Sequence, residues 1–373
     1  MKLRGGQAER HGIGAAGQSM HPEPLPAWRQ LPQRVYVYGF SARKRRYLRV
    51  YLPAVRLTAV TRASRLPASA CLILWGSTPV PPDCPPSVRI VRIEDGFLRS
   101  VGLGADLIFP LSWVIDSSGI YYDASQSSDL EKLLQQGGFS SALIERAGRL
   151  RRAVVEQDVT KYNVGSGQWQ RPLGRHVVLV PGQVESDASI RFGAPTIRTN
   201  LALLQAVRAA RPDAYVLYKP HPDVAAGLRA AGQDEALARR WCDEIVTDIA
   251  MARLLKQVDE VHVLTSATGF EALLRGLPVT CHGNPFYAGW GLTTDLHPQA
   301  RRTRRCSLDE LVAATLILYP TYVSRKRFQP TTPEAALQEL TAWRASEATA
   351  EKRWWHRWRR RLQRWLLRKV IGV

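Results

Sequence analysis

Short apolar strands alternate with amphipathic helices in two separate runs of this 373-residue chain. The first run contains RVYVYGF (34–40), RLTAV, CLILWG (71–76) and VRIVRI (88–93), with ARKRRYLRVYL as a helix after the first strand. The second run extends from HVVLVPG to PVTCHG and contains five strands. Strands that are apolar along their whole length are typical of buried parallel sheets. The alternation therefore predicts an α/β protein with two Rossmann-like domains facing each other across a cleft, the GT-B-like plan.

The predicted domains follow from where each run begins and ends. Residues 1–32 lack periodic apolar positions and predict a flexible leader. The first domain is assigned to 33–165 and the second to 170–330, with the helical segments DLEKLLQQ and ALIERAGRLRRAVVEQ as a bridge between them. Residues 331–373 form a helical, basic, Trp-rich tail.

Charge and its distribution indicate an anionic partner. The chain has 52 Lys and Arg against 32 Asp and Glu, a formal charge of +20. In the segment KRWWHRWRRRLQRWLLRKV, helical spacing aligns one apolar stripe, Trp354, Trp358, Leu362, Trp365 and Leu366. A basic amphipathic helix of this kind is typical of bilayer interfaces. The alternatives are a terminal helix packed on its own protein and an RNA-binding arm, although no RNA-binding motif precedes it.

The remaining composition predicts a cytoplasmic protein. No segment approaches the roughly 20 apolar residues of a membrane-spanning helix, and the N-terminus lacks a secretory signal. The five cysteines are scattered, with no C-x-x-C pair, which favours reduced thiols over a zinc or redox site. Together with the basic tail, this composition predicts a cytoplasmic protein that is peripheral on a membrane surface.

Two pairs of carboxylates follow predicted strands. Glu94 and Asp95 come directly after VRIVRI, and Glu185 and Asp187 follow HVVLVPG. Ligands of open α/β sheets bind beyond the carboxyl ends of the strands. Glycosyl transfer uses such a pair, one carboxylate as nucleophile or stabiliser and the other as acid or base. The alternative for each acid is a solvated loop residue or a helix cap.

Two further strand ends carry groups suited to an anionic substrate. KPHPD places Lys219 and His221 in one turn. TSATGFEALLRG begins a helix whose N-terminal N–H groups can hold a phosphate near Ser266 and Thr268. The pattern Thr268-x-x-Glu271 also matches a capping box, a purely structural alternative. A metal site is disfavoured because no second ligand stands at a metal-binding spacing.

Long segments of the chain resemble the capsule polysaccharide biosynthesis family of β-Kdo transferases, the KpsC type. They are EDGFLRSVGLGADLIFPLS, GIYYDASQSSDLE, TKYNVG, LVPGQVESDASIRFG, YKPHPDV, TSATGFEALLRGLPVTCHGNPFYAGWGLTTD and LILYPTYV. Proteins of this type often carry two transferase modules, and this chain resembles one, the second. The resemblance implies CMP-Kdo as donor, a β-linked product with retained configuration, and a Kdo-terminated or phosphatidylglycerol-type glycolipid acceptor at the inner membrane. It implies no cofactor and no metal.

The resemblance also implies roles for individual residues. Asp187 is the expected covalent nucleophile, Glu94 the acid/base or acceptor contact, and His221 a donor contact. CMP is expected at Ser266, Thr268 and Glu271. Charge and position suggest Arg99, Lys161 and Gln183 for the Kdo carboxylate, and the further substrate contacts are Asp95, Ser100, Lys219 and Gly269. The competing functions are another nucleotide-sugar transferase of surface polysaccharide synthesis and a basic nucleic-acid-binding protein.

Overall fold

The computed structural model describes residues 30–102 and 108–348. The described strands are β1 (Arg34–Tyr38), β2 (Arg56–Val60), β3 (Cys71–Trp75), β4 (Arg89–Asp95), β5 (Ser112–Asp116), β6 (Val177–Pro181), β7 (Tyr215–Lys219), β8 (Glu244–Ile245), β9 (Glu260–Val263), β10 (Val279–Cys281), β11 (Thr294–Asp295), β12 (Pro320–Ser324) and β13 (Gln329–Thr331). The predicted amphipathic tail helix and nearly all of the predicted leader lie outside the described residues.

The described α-helices connect these strands. They are α1 (Ala42–Tyr51), α2 (Asp129–Gln136), α3 (Ser141–Glu156), α4 (Ala188–Gly193), α5 (Asn200–Ala210), α6 (Pro222–Ala225), α7 (Met251–Leu254), α8 (Ala267–Leu274), α9 (Leu308–Val312) and α10 (Pro333–Ala348). The helix predicted around ALARRW is a 3₁₀-helix, Glu235–Arg240. Across residues 30–102 and 108–348, no helix has the length and hydrophobicity needed to cross a bilayer.

The first sheet has seven strands in the order β13-β12-β5-β4-β3-β1-β2. Strands β1 to β4 are parallel, as their continuous apolar sequences predict. Strand β5 is antiparallel to β4, and β12 is antiparallel to β5. Because direction reverses twice, β12 runs in the same direction as β4.

The second sheet has six strands in the order β11-β10-β9-β6-β7-β8, and every neighbouring pair is parallel. All five strands that the second run predicts are present in it. The chain is therefore an α/β protein with two largely parallel sheets, as the alternation predicts.

The predicted boundary at residue 330 differs from the observed organisation. Strands β12 and β13 pair in the first sheet, although 170–330 was assigned to the second domain. Helix α10 then packs on β12 and α3. The reason lies in the edge that β5 leaves open: its unpaired backbone groups are satisfied by antiparallel pairing with β12. Sequence periodicity identifies a strand but does not identify its partner.

One apolar core joins the two sheets. It contains Leu134 of α2, Leu150 of α3, and Leu179 and Val261 of the second sheet, together with Tyr322 of β12. The bridging helices thus bury their apolar faces between the sheets, which fixes the sheets relative to each other.

A buried ion pair reinforces this arrangement. The Glu131 carboxylate on α2 accepts hydrogen bonds from Arg301 Nε (2.8 Å) and Arg302 Nε (2.9 Å) on the segment after β11. Arg302 is itself buried and also donates to the carbonyls of Pro285 and Ala288. Burial alone would raise the pKa of Glu131, but the two arginines hold it below its usual value.

We expect Glu131→Ala to lower the free energy of unfolding by about 3–5 kcal/mol, because Arg302 would remain buried without its partner. Glu145→Ala is the matched control, since its 3.8 Å pair with Arg149 is exposed and should contribute less than about 1 kcal/mol. Urea denaturation at pH 7 measures both. Equal losses in the two variants would contradict this account of how the sheets are held.

Candidate active site

A cavity of about 460 Å³ lies where strands of both sheets end. Glu94 and Asp95 at the end of β4 line one side. Pro181 at the end of β6, and His221 and Ser266 after β7 and β9, line the other. This is the edge at which open α/β sheets bind ligands, so the cavity is the candidate active site.

The cavity brings together most of the residues that the sequence singles out. Ten of them line it, namely Glu94, Asp95, Lys161, Gln183, Asp187, Lys219, His221, Ser266, Thr268 and Glu271. Of the others, Arg99, Ser100 and Gly269 lie behind its walls and pack against protein, and Glu185 does not line it.

Glu94 is the carboxylate whose environment is most altered. Burial, and then the neighbouring charge of Asp95, raise the pKa of Glu94 to about 7. Its Oε1 accepts the Asp95 N–H at 2.9 Å, and the Tyr122 hydroxyl lies 3.4 Å from its Oε2. A Cβ atom at Gly76 would lie only 2.6 Å from Oε2, so a larger residue at position 76 would displace the end of the Glu94 side chain. A carboxyl with a pKa near neutrality can both take and give a proton.

Arg99 does not reach the cavity and is not placed to contact the Kdo carboxylate. Its Nε donates to Asp95 Oδ2 at 2.6 Å, and its Nη1 donates to the Ser100 hydroxyl at 2.9 Å. Trp113 Nε1 donates to the other Asp95 oxygen at 3.2 Å. Because a buried arginine requires a buried acid, Asp95 and Arg99 satisfy each other, and Ser100 belongs to the same buried network.

Asp187 lines the cavity and also begins α4. Its side chain is exposed, and its Oδ1 accepts the Ala188 N–H at 3.1 Å as the N-cap of that helix. Asp187 is therefore both a helix cap, the structural alternative to a catalytic role, and a side chain exposed to the cavity. Glu185 differs, because its two oxygens accept the N–H groups of Asn200 (2.7 Å) and Gln233 (2.8 Å). Only one acid of this predicted pair faces the site.

Lys219 and His221 supply the polar groups after β7. Burial lowers the pKa of Lys219 to about 8, and its Nζ donates to the Thr247 carbonyl at 3.0 Å. Burial, then Lys161, Arg229 and Lys219, lower the pKa of His221 to about 4. His221 Nδ1 accepts the Asp223 N–H at 3.2 Å, so the neutral ring carries its proton on Nε2. His221 is thus a neutral hydrogen-bond donor.

Lys161 enters the cavity from the segment that connects the two sheets. Burial opposes its charge, but Tyr121, Tyr162, Asp95 and Glu94 raise its pKa overall. Its ammonium lies 5.6 Å from the centre of the Tyr162 ring. Lys161 is consequently a fixed cation between the carboxylates of β4 and the loops of the second sheet.

Helix α8 directs its N-terminus at the cavity, but the predicted capping box is not formed. Ser266 is the N-cap and accepts the Thr268 N–H at 3.2 Å. Glu271 instead accepts the backbone N–H of Lys161 at 2.7 Å, and burial raises the pKa of Glu271. Gly269 packs inward, where a Cβ atom would collide with the Tyr287 hydroxyl.

Gln183 connects two cavity loops. Its amide donates to Thr265 Oγ1 at 3.0 Å and accepts the Thr265 N–H at 2.9 Å. Both ends of this amide are therefore used within the protein. The side chain shapes the wall of the cavity, and a direct bond to a Kdo carboxylate would require it to exchange these partners.

Sequence reasoning missed the aromatic lining of the cavity. Tyr121, Tyr122 and Tyr162 all contribute to it. They lie in the segments GIYYDAS and TKYN, but both are loops, where periodicity gives no signal. Within the part of the chain that the structure describes, no group of three His, Cys, Asp or Glu side chains is placed to hold a metal ion.

The chain matches the sequence profile of the family "Capsule polysaccharide biosynthesis protein" over residues 85–168 and 167–327. It is 42% identical over 322 residues to the capsule polysaccharide modification protein LipA of Neisseria meningitidis serogroup A, covering 83% of this chain and 46% of LipA. It is 39% identical to the lipopolysaccharide-processing protein LpsZ of Rhizobium meliloti, covering 82% of this chain and 73% of LpsZ. The chain thus spans about half the length of LipA.

Two solved structures share the fold. The Thermosulfurimonas dismutans KpsC β-Kdo 2,7 transferase is 41% identical, with a TM-score of 0.69 and coverage of 83% of this chain and 99% of that one. The β-Kdo 2,4 transferase of the same KpsC is 32% identical, with a TM-score of 0.74 and coverage of 84% and 99%. These matches confirm the family suggested by the sequence motifs. The chain belongs to the capsule polysaccharide biosynthesis protein family.

Proposed function

We propose that this protein is a retaining β-Kdo glycosyltransferase that transfers Kdo from CMP-Kdo to a glycolipid acceptor in capsule-type polysaccharide synthesis. The observation that carries the proposal is one cavity that contains Glu94, Asp187, Lys161 and Lys219 in a chain 41% identical to a β-Kdo 2,7 transferase. In this proposal the two sheets belong to two Rossmann-like domains in a GT-B-like arrangement, with the second sheet on the donor side.

The charges of the cavity fit a donor with two anionic groups. CMP-Kdo carries one phosphate and one sugar carboxylate. Lys219, the neutral Nε2–H of His221 and the N-terminus of α8 lie on the second sheet and suit the phosphate. Lys161 lies nearer Glu94 and suits the carboxylate, since Arg99 and Gln183 are occupied within the protein.

Two of the carboxylates that line the cavity, Asp187 and Glu94, suit the two steps of a double displacement. In the first step an Asp187 oxygen bonds to the anomeric carbon of Kdo, and the bond from that carbon to the phosphate oxygen breaks, releasing CMP. In the second step the acceptor hydroxyl oxygen displaces Asp187, and Glu94 takes the hydroxyl proton. Each step inverts the anomeric centre, so together they retain its configuration.

The proposal leaves the linkage open. Sequence identity is higher to the 2,7 transferase, whereas the TM-score is higher to the 2,4 transferase. A glycolipid acceptor implies that the enzyme works at the inner-membrane surface. The competing function, transfer from a UDP- or GDP-sugar, predicts turnover of those donors in a screen in which CMP-Kdo is inactive.

Metal independence is the first prediction from this site. Because Lys219, His221 and the α8 N-terminus can neutralise a single phosphate, we expect transfer from CMP-Kdo to be unchanged in excess EDTA. NMR or mass spectrometry of the product measures transfer. A strict requirement for added Mg²⁺ or Mn²⁺ would contradict this account of donor binding.

The second prediction concerns pH. As a general base, Glu94 must be deprotonated, so kcat/KM for the acceptor should rise with pH through about 7 and reach a plateau above it. Glu94→Gln should remove this limb and lower the rate by on the order of 10²-fold or more. A variant that keeps the wild-type pH profile would assign the base to another group.

The third prediction separates the two roles of Asp187. Asn and Ser are both good N-caps, so Asp187→Asn and Asp187→Ser should preserve α4 and the fold. Loss of a nucleophile should nevertheless reduce transfer by on the order of 10³-fold or more in both. Asp213→Asn, an exposed acid away from the cavity, is the control and should remain active.

Intact-protein mass spectrometry gives a direct test of the same step. Wild-type protein supplied with CMP-Kdo and no acceptor should gain the mass of one Kdo residue, and the Asp187→Asn variant should not. An active Asp187→Asn enzyme, or an adduct located on Glu94, would refute the assignment.

A further inference from the structure

The N-terminal part of the first sheet has an extreme charge imbalance. Residues 30–82 contain nine Lys and Arg and no Asp or Glu. Five of the nine lie on α1, where Arg43 and Arg46 are exposed. Within the described residues neither arginine forms an ion pair, so both charges are available to an external anion.

A second basic element lies beside α1. The hairpin between β12 and β13 has Lys326, Arg327 and Phe328 exposed near its tip. Phe328 is 57% exposed and has a φ of 53°, in the left-handed region that bulky side chains rarely adopt. A large aromatic side chain held in this position gains little from folding, since more than half of it remains in water.

Ring contacts join the two elements into one surface. The Tyr47 ring on α1 lies 4.6 Å from the Phe109 ring, which lies 5.6 Å from the Phe328 ring. Arg43 lies one turn before Tyr47 on the same side of the helix. We call the exposed side chains Arg43, Arg46, Lys326, Arg327 and Phe328 the α1–hairpin surface.

The α1–hairpin surface lies at the same edge of the first sheet as the cavity. Strand β12 runs parallel to β4, so the tip after Ser324 and the Glu94 end of β4 lie at one edge. Helix α1 begins at this edge too, and Lys44 Nζ lies 3.4 Å from the centre of the Trp75 ring, which lines the cavity.

We propose that the α1–hairpin surface docks on a bilayer of anionic phospholipids and holds the cavity against the membrane. This inference rests on the proposed function, because a lipid-linked acceptor must reach the cavity from that membrane. Cations attract the anionic headgroups, and an exposed aromatic ring between them inserts at headgroup depth. Phe328 favours a bilayer over nucleic acid, because burial of its ring in the interface removes an apolar surface from water.

The test uses the full chain with four cations neutralised, Arg43→Gln, Arg46→Gln, Lys326→Gln and Arg327→Gln, and a separate Phe328→Ser variant. The control for the four-cation variant removes the same charge elsewhere, through Arg149→Gln, Arg152→Gln, Arg239→Gln and Arg240→Gln. The control for Phe328→Ser is Leu173→Ser, which removes a comparable apolar group, since Leu173 is 97% exposed. Co-sedimentation with vesicles containing phosphatidylglycerol measures binding. Turnover of CMP-Kdo with a soluble Kdo acceptor measures catalysis separately.

We expect the four-cation variant to bind these vesicles at least about tenfold more weakly than its control, since each cation near an anionic surface contributes about fivefold. Phe328→Ser should weaken binding more than Leu173→Ser. Both surface variants should keep turnover of the soluble acceptor and lose turnover of an acceptor embedded in vesicles. If CMP-Kdo is not a substrate at all, the proposed function is wrong. Co-sedimentation with vesicles still tests the docking proposal in that case.

Three results would overturn the docking proposal. The first is equal sedimentation of the surface and control variants with the vesicles. The second is loss of soluble-acceptor turnover in the surface variants, which would place these residues in catalysis. Alternatively, the surface variants would lose binding to single-stranded RNA while vesicle binding stayed at the control level, which would assign the surface to nucleic acid.

Discussion

The active-site cavity depends on how one connecting segment, residues 160–163, is fixed between the two sheets. From the second sheet, Glu271 accepts the Lys161 N–H at 2.7 Å. From the first, the Gly102 N–H donates to the Tyr162 carbonyl at 2.9 Å, and Asn163 donates to the Ser100 carbonyl at 3.1 Å. Buried backbone groups must find partners, so these bonds hold the connection in one place. They position the Lys161 ammonium among the carboxylates of β4 and beside the loops of the second sheet. Glu271, which the resemblance assigns to CMP, thus also holds the backbone of the residue that carries this cation.

The same geometry gives Glu94 and Asp187, two of the carboxylates that line the cavity, different environments. Glu94 is buried beside Asp95, and these two influences raise its pKa to about 7. Asp187 is exposed at the start of α4. Tyr122, whose hydroxyl lies 3.4 Å from Glu94 Oε2, lines the same cavity as Asp187. In the proposed double displacement, the buried Glu94 suits the proton transfer and the exposed Asp187 suits attack on the anomeric carbon.

Sequence patterns predict strands β1 to β4 of the first sheet, five of the six strands of the second, and ten of the residues that line the cavity, because each strand end in a parallel sheet points to one edge. They fail where function depends on a partner distant in sequence. Arg99 looks free in sequence, but Asp95 engages it, and Glu185 looks like half of a catalytic pair, but it holds the N–H groups of Asn200 and Gln233. Tyr121 and Tyr122 stand in a loop without periodicity and enter the site only through tertiary packing. The return of β12 to the first sheet is likewise invisible, because strand pairing is not encoded locally.

That return of the chain connects the cavity to the α1–hairpin surface. If the first sheet ended at β5, its edge would be an unpaired antiparallel strand beside the cavity. Pairing of β12 with β5 satisfies the backbone groups of this edge. Because β5 is antiparallel to β4 and β12 is antiparallel to β5, β12 runs in the direction of β4. The turn that follows β12 must then project at the carboxyl edge, where the parallel strands also place Glu94. Lys326 donates its N–H to Glu339 of α10, and Ser324 donates its hydroxyl to the same carboxylate, so the turn is anchored from beneath. Its exposed end is therefore anchored to the sheet that carries Glu94.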